Sequence, residues 1–177
     1  MELSILHAIQ GIHNPMLDKI MVLIFGTIVG SKGQIWVWLG ILLFLIPKTR
    51  KCGSCILISY LLAYFIGDGL LKDLIARPRP CTVDTSVTLL IAKPSSCSCP
   101  SVHSFLAFAS ATAIFYHYRK TGILALLFAA LLGFSRLYFF VHYPTDVLLG
   151  SFLGVLVGWG VCLLHSKCYQ QYNYIQI

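Results

Sequence analysis

The 177-residue chain is 58% hydrophobic and only 11% charged, with a formal net charge of +7 and a mean hydropathy of +0.82. Soluble domains carry about 25% charged residues, so this composition excludes a soluble globular protein and points to an integral membrane protein. The length fits a single domain over 1–177, without a second composition regime, repeat or linker, and the basic excess calls for no nucleic-acid partner.

A helix needs about 20 apolar residues to cross the hydrocarbon core of a bilayer. Runs approaching that length between charged or Pro/Gly punctuation predict six membrane helices, at roughly 16–31, 33–47, 54–76, 100–118, 121–140 and 144–166. The expected fold is therefore all-α, a polytopic six-transmembrane-helix bundle. Ahead of it, Met1 to His13 mixes Leu3, Ile5, Leu6, Ile9 and Ile12 with polar residues and reads either as a short N-terminal interfacial helix or as a cap on the bundle. No basic stretch precedes these residues, so the segment is not expected to be a cleaved leader. Lys19 is expected to snorkel toward the headgroups. Asp68, four residues before Lys72, is expected to pair with it on one helix face. Gly150, Gly154 and Gly158 strip one face of the sixth helix and let a neighbour approach closely.

Six crossings would put both termini on one side, with Lys19, Lys48, Arg50, Lys51, Arg119, Lys120 and Lys167. The other side would hold Lys32, Lys72, Arg77, Arg79, Lys93 and Arg136, several of them retained for chemistry. The positive-inside rule then places the termini in the cytoplasm and the second group on the extracytoplasmic face of the plasma membrane. Of the seven cysteines, Cys52 and Cys55 form a CxxC for which the sequence offers no metal or redox partners. Cys81, Cys97 and Cys99 are either free thiols or include one disulfide that tethers the 81–99 connection. Cys162 and Cys168 read as apolar filler, and His7, His13, His117 and His165 as structural.

Three strings carry the chemistry: KDLIARPRP from Lys72 to Pro80, PSVH from Pro100 to His103, and SRLYFFVHYPTD from Ser135 to Asp146. The six-helix topology brings all of them to one end of the bundle. Prolines 78 and 80 force their predecessors into extended geometry and carry Arg79 past the helix end. Pro100 near the first turn of its helix leaves the amides of Ser101, Val102 and His103 facing outward as a seat for phosphate. Lys72 supplies a point charge, and Arg79 and Arg136 supply guanidinium forks. His142 and Asp146 are four apart, so the carboxylate can orient the ring and leave one nitrogen free to attack. His103 remains as general acid and base. A metal site built on these histidines is disfavoured, because the cations that stabilise a phosphoryl transition state would repel a divalent ion.

These strings resemble the three signatures of the type 2 phosphatidic acid phosphatase (PAP2) family, KxxxxxxRP, PSGH and SRxxxxxHxxxD. Every spacing matches, through Lys72, Arg79 and Pro80, then Pro100, Ser101 and His103, then Ser135, Arg136, His142 and Asp146. The resemblance implies a metal-independent lipid phosphatase that works through a phosphohistidine at His142, with Asp146 orienting it and His103 as general acid. It assigns phosphate binding to Lys72, Arg79, Ser101 and Arg136, with the Val102 amide beside them, and no cofactor. Val102 stands where the family has glycine, so altered rate or substrate fit is expected. Among the small bacterial members this chain resembles are undecaprenyl diphosphate hydrolases, the favoured reading on size and orientation, and enzymes acting on phosphatidylglycerophosphate or phosphatidic acid. The partners implied are a lipid phosphate substrate and the surrounding lipids. The alternative from another class is a non-catalytic protein that binds or flips a lipid phosphate. The 81–99 connection, with its apolar run Val87 to Ala92, is either a substrate-selecting cover or a plain loop.

Overall fold

The computed structural model of the chain describes residues 1–29 and 33–175, and their regular structure is entirely helical. Helix α1 (Glu2–Gln10) precedes α2 (Pro15–Met21), which widens into π-helical turns over Val22–Ile28. Helices α3 (Ile35–Leu45) and α4 (Arg50–Ile66) form a tight hairpin. A second π-helical stretch, Gly67–Leu71, extends α4 into α5 (Lys72–Ile75), and α6 (Pro80–Val83) is a single turn. The long elements α7 (Val102–His117), α8 (Arg119–Tyr138) and α9 (Pro144–Ile175) complete the bundle.

Helix α7 is the axle, with α4, α8 and α9 packed around it. Its sequence explains why. Ala107, Ala109, Ala111, Ala113, Ser104, Ser110 and Thr112 are all buried, and such short side chains let neighbouring backbones come close where no hydrophobic force separates protein from lipid. The glycines of α9 complete the fit: a Cβ on Gly150, Gly154 or Gly158 would meet the carbonyl oxygens of Ser101, Phe105 and Ala109 at 2.5, 2.6 and 2.4 Å. The expected close approach is therefore made, and α7 is the neighbour.

Among the described residues, three helical stretches are long and apolar enough to cross a membrane, 50–83, 119–138 and 144–168. The expected pair of crossings at 16–31 and 33–47 takes another form; positions 30 and 31, and Lys32, lie outside the described residues. The Asp18 carboxylate accepts a hydrogen bond from Tyr138 at the end of α8. The Phe25 carbonyl meets Arg136, and the rings of Phe25 and Trp36 both lie against Phe128 further down α8. Residues 15–29 and 33–45 thus follow α8 in one direction. Helix α3, 11 residues and so only about 16 Å long, does not cross the core alone.

One consequence is a correction. Helix α1 lies at the same end of the bundle as the ends of α5 and α8 and the start of α9, because Glu2 bonds Arg77 and Thr145, and Gln10 and His13 reach the Tyr138 carbonyl at 3.0 and 3.2 Å. The end of α9 lies at the other end, where His165 meets Ser54 and Ser166 meets Tyr116. Helix α1 and the His165–Ser166 part of α9 therefore lie at opposite ends of the bundle, which differs from the expected arrangement with both termini on the side away from the chemistry. Helix α1 packs on the bundle through the fully enclosed Leu6, while Ile5 and Ile12 stay exposed.

Candidate active site

The three strings meet in one cavity of about 620 Å³, walled by Lys72, Arg79, Lys93, Val102, His103, Arg136 and His142, with Asp68 and the loop 91–96 closing the remaining sides. Each wall follows from local structure. Helix α5 stops where Ala76 turns left-handed (φ 48°), and Arg79, extended at φ −75° and ψ 151° ahead of Pro80, projects back toward the bundle as its proline demands. In the π-turn after α2 the wide pitch sends the Val29 amide to the Ile24 carbonyl, one residue beyond the α-helical acceptor Phe25. The Phe25 oxygen accepts from Arg136 instead, at 2.7 Å, which anchors the guanidinium at the cavity wall. π-Turns recur at functional sites because they re-aim single groups in this way.

The Lys72 ammonium is 2.7 Å from Asp68, the expected partner. It also donates to the Ser96 hydroxyl at 2.9 Å. Arg79 donates from Nε to the Ser96 carbonyl at 2.7 Å, from one terminal nitrogen to the Ser96 hydroxyl at 3.1 Å, and from the other to the Val141 carbonyl at 2.8 Å. That last nitrogen also stands 3.1 Å from Nε2 of His142. A guanidinium can only donate, so Nε2 is the accepting, unprotonated nitrogen and the ring proton of neutral His142 sits on Nδ1. Burial pushes the His142 imidazole down to about 4, with Arg79 and Arg136 adding to the effect and Asp146 opposing it. Its ring is therefore neutral at ordinary pH with a lone pair directed into the cationic wall.

Asp146 stands behind His142, Oδ2 to Nδ1 at 3.8 Å, too long for a hydrogen bond but close enough to orient a ring proton. The carboxylate is fully buried and otherwise satisfied by the Ser98 hydroxyl, by the Tyr143 amide at 2.9 Å and by Arg77 at 2.7 Å. Nε2 of His103, at the first turn of α7, is enclosed and has no hydrogen-bond partner among the described residues. Val102 lines the cavity, with its side chain set against Gly67 on the facing π-turn.

Two expectations change in detail. The Ser101 side chain does not reach the cavity wall: it caps α7, its hydroxyl accepting from the Ser104 hydroxyl at 3.0 Å. Its amide is also taken, donating to the Asp146 carbonyl at 3.0 Å, so Pro100 precedes the cap and the open amides begin at Val102. Cys81, Cys97 and Cys99 are free thiols.

The profile of the PAP2 superfamily matches residues 53–170. The chain belongs to the PAP2 superfamily. An undecaprenyl-diphosphatase of Sulfolobus acidocaldarius is 34% identical over 125 residues, 69% of this chain, and the chain spans 60% of that relative's length. The undecaprenyl-diphosphatase BcrC of Bacillus subtilis is 33% identical over 171 residues, 90% of this chain and 81% of its own. The crystal structure of a PAP2-type phosphatidylglycerolphosphate phosphatase from Bacillus subtilis superimposes with a TM-score of 0.74 at 29% identity, covering 93% of this chain and 84% of that one.

The PAP2 signatures leave several cavity and support residues unmarked. Lys93 and Ser96 come from the 81–99 connection, which does cover the cavity, with Leu89, Leu90 and Ile91 packed on the core. Arg77 lies over the Tyr143 ring at 3.9 Å and links Asp146 to Glu2, whose carboxylate also takes the Thr145 amide at 3.1 Å. Burial alone would raise the Glu2 carboxyl, but the bonds from Thr145 and Arg77 outweigh it and hold it below its usual value. No spacing rule links Glu2 to partners 75 and 143 positions away.

Proposed function

We propose that this PAP2 protein is a metal-independent lipid phosphatase that hydrolyses a polyprenyl diphosphate, undecaprenyl diphosphate in the favoured case, to the monophosphate and inorganic phosphate. Nε2 of His142 attacks the terminal phosphorus, forming a P–N bond as the P–O bond to the lipid phosphate breaks. His103 gives its proton to the departing oxygen, then takes one from water, which attacks phosphorus and returns the lone pair to Nε2. Lys72, Arg79, Lys93 and Arg136 hold the oxyanions, and the Val102 and His103 amides at the start of α7 add their dipoles. Arg79, which caps Nε2 before substrate arrives, passes to a phosphoryl oxygen and releases the nucleophile. Nδ1–H faces Asp146, which stabilises the positive ring that forms. The cationic wall argues against a divalent ion at the reacting phosphate.

The observation that carries this reading is the accepting Nε2 of His142 in a cavity whose walls carry four cations. The diphosphate is favoured because relatives at 33–34% identity are named undecaprenyl-diphosphatases, and because the fourth cation, Lys93, extends the seat beyond what one phosphate needs. Phosphatidylglycerophosphate is the second reading, from the structural likeness at 29% identity. A protein that only binds or flips a lipid phosphate remains as the reading of another class.

The test is inorganic phosphate release in detergent and chelator, compared across a panel of lipid phosphates by kcat/KM. His142→Ala and His103→Ala should each lower release by about a thousandfold. Full activity in His142→Ala sinks the nucleophile, loss in chelator sinks the metal-free chemistry, and tight binding without release favours the binding protein.

A further inference from the structure

At the end of the bundle away from the cavity, the second cysteine of the CxxC acquires the partners that the sequence does not reveal. The Cys55 thiol on α4, the Cys162 thiol on α9 and a ring nitrogen of His117 at the end of α7 lie within 4.8 Å of one another. Cys55 and Cys162 are fully enclosed, at 0% and 1% exposure, and Nε2 of His117 is shut from solvent with no hydrogen-bond partner among the described residues. Such an arrangement leaves three soft or borderline donor atoms facing one another in an enclosed space.

We propose that Cys55, His117 and Cys162 form a binding site for a thiophilic d10 cation, Zn²⁺ in the first instance. Two thiolates and one neutral imidazole balance the charge of Zn²⁺, which suits a low-dielectric bundle, and tetrahedral bonds of about 2.3 Å to sulfur and 2.0 Å to nitrogen need donors about 3.5–3.8 Å apart, a spacing compatible with the 4.8 Å bound on these three. Binding replaces both S–H bonds with S–Zn bonds and releases the two protons to water, while His117 contributes a lone pair. Cys52 stands apart from the set: its thiol turns to the Ala113 carbonyl at 4.0 Å. The fourth position falls to water, reached past the partly exposed His117. Oxygen-preferring ions such as Mg²⁺ are excluded by the donor set. The site joins α4, α7 and α9, the elements that lead to Lys72, His103 and Asp146, so its role is to brace the bundle at the end where no loop crosses between them.

The test uses the full chain, purified in detergent under reducing conditions, loaded with Zn²⁺ or Co²⁺ and desalted. Wild type, Cys168→Ser and Cys52→Ser should retain about one metal per chain, give a thiolate-to-cobalt charge-transfer band with intense tetrahedral ligand-field bands, and show a rise in Tm with added Zn²⁺. Cys55→Ser with Cys162→Ser should lose the metal and the Tm response, and His117→Gln should weaken binding at least tenfold. Wild type that retains no metal overturns the site, whatever the variants do. Equal retention by the double variant overturns it as well. A loss of two hydrogens in mass with a Cys55–Cys162 crosslinked peptide, in place of metal uptake under reducing conditions, assigns the pair to a disulfide and overturns the metal.

Discussion

His142 carries two consequences of being neutral and enclosed. Because its acid form is held down to about 4, from about 6.5 for a free imidazole, the nucleophilic form predominates throughout the neutral range. On the acid side, kcat/KM is expected to fall as pH drops through about 4, and a limb centred near 6.5 would show that the ring is not enclosed. Stability has the same sign: below about 6.5 the unfolded chain takes up a proton that the folded site refuses. The contribution is therefore complete above that pH and disappears by about 4, worth about 3 kcal/mol in all. A pH series of Tm, wild type beside His142→Gln, checks it. Val102 is the other residue with a clear expectation. Its side chain fills the space opposite Gly67 at the cavity wall, so Val102→Gly should preserve or raise kcat on lipid diphosphate, measured as phosphate release. A large loss would show that the methyls, and not the backbone amide, position the substrate.

Among the elements, the α7–α9 contact is the least tolerant of change. Gly154→Ala places a methyl 2.6 Å from a backbone oxygen that cannot rotate away, and should cost about 1–3 kcal/mol, read as a fall in Tm in detergent, whereas Gly160→Ala, which meets nothing, should cost less than about 0.5 kcal/mol. The sequence made these long helices and their meeting end legible, because a glycine every fourth position, proline after a helix end and long apolar runs act locally. It also made Lys72, Arg79, His103, Arg136 and His142 legible as one group, since each is tied to the end of an element. What it hid depends on distance. Ser96 and Lys93 lie in a connection with no periodicity, Glu2 reaches Arg77 across the whole fold, and Cys162 and His117 meet Cys55 only because α4, α7 and α9 pack together. Ser101 stands off the cavity wall for a local reason: a serine ahead of a helix serves its own cap first, and its hydroxyl turns inward.

For the whole molecule, the path of residues 15–29 and 33–45 along α8 decides the topology. Crossing the bundle once, it leaves α1 beside the cavity and the end of α9 opposite, and it moves Lys19 to the cavity end. Lys48, Arg50, Lys51, Arg119, Lys120 and Lys167 still gather at the far end, so the charge rule continues to predict an extracytoplasmic cavity. Reporters fused ahead of α1 and after α9 should then read out on opposite sides of the membrane, the first outside and the second inside; both inside would restore the six-crossing arrangement. The Ser96 hydroxyl accepts from both Lys72 and Arg79, while the Asp68 carboxylate supplies the countercharge to Lys72. The chain carries its own tenant for the anion seat. On the proposed reading, a lipid phosphate that enters exchanges one oxygen for another, and the same hydroxyl is expected to return as phosphate leaves.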